Sequence, residues 1–183
     1  CLGMSGGWTP AVHLFTQSGG KLKFRDDDQV FIPDKYPSDQ ISIGSCNGEF
    51  TLDEILSGIS KKLKDFLNIK KTDYENLEIQ SHFNKTKRNI WLLPSDKIIG
   101  KTKPFVDYQN DATAKDIKLA LREGFRSIEH VKRYTTTGMG TDQGKLGNMH
   151  ALGIISETAD SRMGELGTTT FRPPYTPLTF GTI

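Results

Sequence analysis

The stretch from Phe105 to Met149 constrains this chain most, because it packs helix starts, helix stops and two special turns into a short span. Thr113 and Asp116 form the spacing of a capping box, in which a hydroxyl and a carboxylate satisfy N–H groups that a helix start leaves unpaired. Ile117, Leu119, Ala120 and Leu121 then make an apolar stripe, and Gly124 is placed to end the helix in the left-handed conformation. Ser127 is placed to cap a second helix, with Ile128, Val131 and Tyr134 on one face. Beyond the threonine turn at 135–137 and the glycine-rich turn at 138–144, Met149, Leu152 and Ile155 set the period of a third helix, running to about Ala159. The stretch predicts a compact helical module.

A length of 183 residues holds one domain or two small ones with a real core. The net charge is +2 and charged residues make up 25% of the chain. Lysines and acidic residues interleave, as between Lys61 and Asp65, which describes a solvated helix face and not a nucleic-acid footprint. Two cysteines, Cys1 and Cys46, are too few for a disulfide framework or a thiolate metal site. With no signal peptide and no apolar run of about 18 residues, the expectation is a soluble cytoplasmic protein. The Asn84-Lys85-Thr86 sequon is then a chance match. Cys1 opens the chain within a strand-like stub and Ile183 closes it after a proline-rich tail, so a piece of a longer polypeptide is expected.

In chain order, Leu2–Met4 predicts a short strand, and Trp8-Thr9-Pro10 predicts the start of a helical turn through Val12, Leu14 and Phe15, with Pro10 at its first position. Lys21–Phe24 and Gln29–Ile32 predict an edge hairpin, followed by a loop from Pro33 to Pro37. Ile41–Ile43 reads as a strand, then a glycine-containing turn from Gly44 to Gly48 leads into a helix from Leu52 to about Phe66. Leu52, Ile55, Leu56, Ile59, Leu63 and Phe66 share one face of that helix, and Thr51 with Glu54 forms a second capping box. Residues 72–88 are polar and carry no assignment. Asn89–Leu93 reads as a buried strand stopped by Pro94, Ser95–Pro104 as a basic linker holding the domain boundary, and Thr168–Phe180 as an extended tail.

Few residues here suggest chemistry. The run from Gly138 to Gly144 is not a dinucleotide fingerprint, because its spacing is off by one residue and no strand precedes it. His130 lies on a polar helix flank and reads as a surface or capping residue. Lys132 and Arg133 beside Thr135, Thr136 and Thr137 form either a phosphate cradle or a solvated helix end whose basic residues complement the dipole, and both readings stand. The strand–turn–helix from Ile41 to Phe66 is likewise either an ordinary crossover or a nucleotide-binding turn.

The helical module resembles the bacterioferritin-associated-ferredoxin-like domain, in which four cysteines around such turns hold a 2Fe–2S cluster. Ala112-Thr113 matches its helix start and Gly138-Met139-Gly140 its turn, but the cysteine positions hold Asp107, Gln109, Asp142 and Gly147. A cluster requires thiolates, or histidine as the usual exception, so no iron–sulfur cluster is expected. Three strings, MSGGWTPAVHLFTQSGGKLKF, FVDYQNDATAKDIKLALREGFRSIEHVKRYTTTGMGTDQGK and TTTFRPPYTPLTFG, further resemble the alpha subunit of heterotetrameric sarcosine oxidase.

That resemblance implies an α+β architecture. Residues 1–70 would be the C-terminal part of a two-dinucleotide flavoprotein-type α/β domain, 71–104 a connecting segment, 105–167 the cluster-less ferredoxin-like helical domain, and 168–183 a linker toward a folate-binding domain. It implies a role in oxidative demethylation of sarcosine to glycine, with hydrogen peroxide and methylene-tetrahydrofolate as products, in a complex with beta, gamma and delta subunits. This stretch would itself be non-catalytic. NAD would bind the complete alpha subunit, FMN the interface with beta, FAD the beta subunit and tetrahydrofolate a further C-terminal domain. On the turn before the long helix, the implied NAD contacts fall on Ser45, Phe50 and Leu52, with Gly48 allowing close approach. Lys132, Arg133 and Thr136 would face a flavin phosphate. The alternative is a non-catalytic interaction or electron-transfer module of a proline, octopine or cyanide-forming dehydrogenase complex.

Overall fold

The computed structural model describes residues 8–37, 39–69, 79, 89–93, 101–173, 176 and 178–182. The expected strand at Leu2–Met4, the sequon and all of the unassigned 72–88 but residue 79 lie outside them. The chain forms two compact units, Cys1–Arg88 and Asn89–Ile183.

In the first unit, helix α1 (His13–Gln17) starts later than the tryptophan–proline turn suggested. Pro10 contributes its carbonyl to Val12 N–H instead, and Val12 and Phe15 supply the buried side chains. Strands β1 (Lys21–Arg25) and β2 (Val30–Lys35) pair antiparallel, as the alternation predicts, and Phe24 falls opposite Phe31. β2 runs on through Pro33, where a loop was expected. In a two-stranded sheet both strands are edges, so the missing proline N–H leaves no ladder bond unmade, and the register shifts opposite it between Lys21 and Leu22. Ile41–Ile43 forms no strand: Ile43 is extended but pairs with nothing in a ladder, and the chain passes into a 3-10 turn at Gly44–Asn47. Helix α2 (Leu52–Leu67) follows, started by the Thr51–Glu54 capping box.

In the second unit, residues 89–93 make a bend and not a buried strand, with Ile90 and Leu93 mostly exposed. The large indole decides this, because Trp91 lies flat where Gly153 of the third module helix has no side chain. A short ladder of β3 (Phe105–Asp107) and β4 (Ala112–Thr113), not foreseen from the sequence, leads into α3 (Ala114–Arg122). The Thr113–Asp116 box starts α3, and Gly124 follows its end at φ +98°, with Phe125 N–H closing on Ala120 O. α4 (Ile128–Thr135) begins after Ser127, whose hydroxyl makes no capping bond. Ile128 and Val131 are buried as expected, but Tyr134 faces outward and stacks on Phe125, ring centroids 4.8 Å apart. α5 (Asn148–Ala159) and α6 (Met163–Leu166) complete the unit. Ile117, Ala120, Val131, Leu152, Ile154 and Ile155 form its core.

Candidate functional site

Two loci carry the residues that the sequence singled out, and they lie in different units. In the first, Glu49 organises the turn before α2. Its carboxylate accepts from Gly44 N–H (2.9 Å) and Asn47 Nδ2 (2.9 Å) and pairs with Lys62 Nζ (2.7 Å), tying the turn to the side of α2. Burial pushes the Glu49 carboxyl up, but Lys62, Asn47 and the Gly44 N–H outweigh it and hold the group below its ordinary value. Neither Glu49 nor Lys62 was singled out from sequence. The available signal was an acidic residue directly after a glycine turn with a lysine on the facing helix.

Gly48 sits in the left-handed region at φ +75°, as a turn-ending glycine should. The space that its missing Cβ leaves is taken from within, since an added Cβ would meet Arg25 at 2.7 Å and Ile32 at 2.8 Å. Arg25 donates to Gly48 O (2.8 Å) while its guanidinium is held by Asp28. The glycine therefore serves hairpin packing. Ser45 is exposed, Phe50 is half-buried and Leu52 is half-exposed. The start of α2 is a poor anion site. Glu54 already accepts the Phe50 and Thr51 N–H groups, and Asp53 adds a second carboxylate to the first turn.

The second locus gathers the four positions read as former cluster ligands. Asp107 is buried, and its two carboxylate oxygens accept from Gln109 N–H (2.8 Å), Asn110 N–H (3.1 Å), Asn110 Nδ2 (3.3 Å) and Gly138 N–H (2.6 Å). Burial raises its pKa, but these donors together lower it below the usual carboxylate range, Gly138 most strongly. Gln109 reaches across to Thr141 Oγ1 and Asp142 N–H, and Asp142 accepts from Gly144 N–H. Gly147 presses on β3, where a Cβ would come within 2.5 Å of Val106 O. Carboxylate, amide and glycine thus crosslink the loops by hydrogen bonds and close packing. This donor set offers no thiolate or imidazole and does not fit a 2Fe–2S cluster. Among the described residues no group of three or more His, Cys, Asp or Glu is placed to hold a metal ion.

The basic residues of α4 separate. Lys132 is buried and donates to Thr170 O (3.2 Å), and burial lowers its pKa although Glu129 opposes the shift. Arg133 is exposed and pairs with Glu129 at 3.0 Å. Thr136 ends the helix in the left-handed conformation at φ +60°, its hydroxyl turned back to Thr135 O. Thr135 and Thr137 hydroxyls bond each other inside the unit, so the threonine turn is mostly spent on itself.

A hairpin, glycine turn and capped helix in one unit and a small helical module in the other make an α+β chain. The same fold occurs in L-proline dehydrogenase from P. horikoshii, which superposes over 96% of this chain and 37% of its own at a TM-score of 0.62 and 20% identity. Residues 101–183 match the sarcosine oxidase A3 domain. Over its whole length the chain is 35% identical to the sarcosine oxidase subunit alpha of Rhizobium meliloti (strain 1021) and 33% identical to that of Corynebacterium sp. (strain P-1). The chain is a part of the sarcosine oxidase alpha-subunit family, spanning 18% and 19% of the length of these two relatives.

Proposed function

We propose that this chain serves as a non-catalytic scaffold within the alpha subunit of a sarcosine-oxidase-like flavoenzyme. The complete enzyme would demethylate sarcosine to glycine oxidatively, form hydrogen peroxide and transfer the one-carbon unit to tetrahydrofolate. The observation that carries this reading is similarity along the whole chain to proteins named sarcosine oxidase subunit alpha. Their designation as subunits supports an assembly, which we take to be a cytoplasmic heterotetramer with beta, gamma and delta chains. NAD in the complete alpha subunit, FMN at the alpha–beta interface, FAD in beta and folate in a separate domain belong to the same proposal. No helix among the described residues is long and apolar enough to cross a membrane, in keeping with it.

Within this reading, Ser45, Phe50 and Leu52 line the far end of the NAD site through backbone and apolar contact, and Gly48 holds the turn behind them. Toward a flavin phosphate, Arg133 and Thr136 are the exposed groups and would exchange their bonds to Glu129 and Thr135 O for it, while Lys132 is buried against Thr170. The helical module works without an iron–sulfur cluster. Reconstitution with iron and sulfide under anaerobic conditions should give no charge-transfer spectrum, and about two bound irons per chain would refute this.

The decisive experiment is assembly of the full-length subunit with its partner chains. Peroxide formed from sarcosine by the complex, and none by the 183-residue chain alone, is the expected result. Oxidation of proline or octopine without sarcosine turnover would instead select a module of another amine dehydrogenase complex. In that assembly Arg133→Ala should lower flavin retention, and unchanged flavin content would return α4 to a solvated helix end.

A further inference from the structure

We propose that the extended segment 168–171 is a strap, gripped through its backbone by Glu129 and Lys132 of α4, and that this grip fixes where the chain leaves the helical module. Thr170 N–H donates to Glu129 Oε1 at 2.6 Å, and Thr170 O accepts from Lys132 Nζ at 3.2 Å. Glu129 and Lys132 are three residues apart on a helix, so both reach the same side of α4. Together they engage the N–H and C=O of one residue, the two groups that a neighbouring strand would pair in a sheet. Recognition therefore reads backbone and ignores the Thr170 side chain, which faces solvent.

Neighbouring residues seat the strap. Thr169 and Phe171 are buried while Thr170 is exposed, the in–out alternation of an extended strand. Asn148 Nδ2 of α5 donates to Thr169 Oγ1 at 2.9 Å. Arg133 holds the other oxygen of Glu129 at 3.0 Å and so orients the carboxylate toward the strap. Under the strap, Thr169 closes a small cavity of ≈ 10 Å³ lined mainly by apolar surface of Ile128, Val131, Ala151 and Ile155. Lys132 is 8% exposed, and an ammonium in such a place is costly unless an acceptor meets it. Thr170 O is that acceptor, which couples the state of Lys132 to the position of the strap.

The grip can be tested in the full chain by amide exchange. Glu129→Ala should speed exchange of the Thr170 amide by about tenfold, the loss expected for a hydrogen bond to a charged group. Glu129→Gln keeps a carbonyl acceptor in place and should retain most of the protection. Lys132→Met preserves the apolar stem, loses the ammonium, and should hasten chymotrypsin cleavage after Phe171. Amides of α3 and α5 should stay protected in all three variants, which separates strap release from unfolding. Unchanged Thr170 exchange in Glu129→Ala overturns the proposal. So does a uniform rise across α3, α5 and the strap that is equal in the Ala and Gln variants, because the side chain would then act through global stability alone.

Discussion

Helices α2 and α5 invert one another. α2 has 16 residues, a complete capping box and six apolar side chains on one face, yet none of its residues is buried. Leu52 and Phe66 are 50% and 45% exposed. α5 has 12 residues, no side-chain cap and little amphipathic character, yet Ala151 through Ile155 are buried in an unbroken run. An apolar period records a face written for a partner. Burial records that the partner is within the unit. α5 is enclosed by α3, α6 and the strap, so it needs no polar side over those five residues, whereas the described residues of the first unit cover the face of α2 only in part.

The largest expected difference follows from that contrast. Ile155→Ala removes a fully buried side chain from a site with little room to collapse, and should destabilise the second unit by roughly 2–5 kcal/mol in denaturant unfolding. Ile59→Ala on the apolar face of α2 should cost less, about 1 kcal/mol, because the side chain is only partly buried. Equal costs at both sites would break the comparison and mean that α2 is covered in solution.

Next in size is Asp107, whose carboxylate does in the helical module what apolar packing cannot, joining the 107–110 loop to the turn at Gly138. Asp107→Asn would set an amide N–H2 group against backbone N–H donors and should cost about 2–3 kcal/mol. The pH dependence has a defined sign. The folded carboxyl lies below its ordinary value of 3.8, so its stabilising contribution is present above that pH and is lost as pH falls through the lower folded value. Thermal unfolding of the second unit from pH 5 downward should therefore show an acid limb that the Asn variant flattens. An identical limb in both proteins would assign the acid sensitivity elsewhere.

The parts legible in the sequence were those set by local chemistry. Both capping boxes, the hairpin pairing and the glycine after α3 are set by residues close in the sequence, and each occurs as read. The misreadings share a cause in distant contacts. Asn89–Leu93 has strand composition, but Trp91 is claimed by the groove at Gly153, far along the chain. Neither reading of Lys132, phosphate cradle or helix end, included the bond of its ammonium to Thr170 O, 38 residues on. The contact of Gly48 with Arg25 and Ile32 was likewise out of reach, since a sequence cannot show what packs on the missing Cβ. Asp107, Gln109, Asp142 and Gly147 were recognisable as a set only through family resemblance, and their hydrogen bonds and packing could not be read from spacing.

The smallest expected effect sharpens the comparison most, because the same device opens a helix in each unit. At α2, Thr51 N–H meets Glu54 Oε2 at 3.3 Å and Glu54 N–H meets Thr51 Oγ1 at 3.4 Å, all of it exposed to water. At α3, Thr113 N–H meets Asp116 Oδ2 at 2.8 Å, and the Thr113 hydroxyl adds a bond to the same oxygen at 2.7 Å, with Thr113 itself buried. Water can replace the threonine oxygen at α2 when it is removed, but is largely excluded at α3. Thr51→Ala should therefore cost roughly 0.5–1 kcal/mol and Thr113→Ala roughly 1–2 kcal/mol, the lower and upper parts of the range for lost N-caps. Backbone exchange at Glu54 N–H and Asp116 N–H in the two variants isolates the cap from the rest of each unit. If the two substitutions prove equal, capping acts independently of burial, and the contrast between the helices rests on their apolar faces alone.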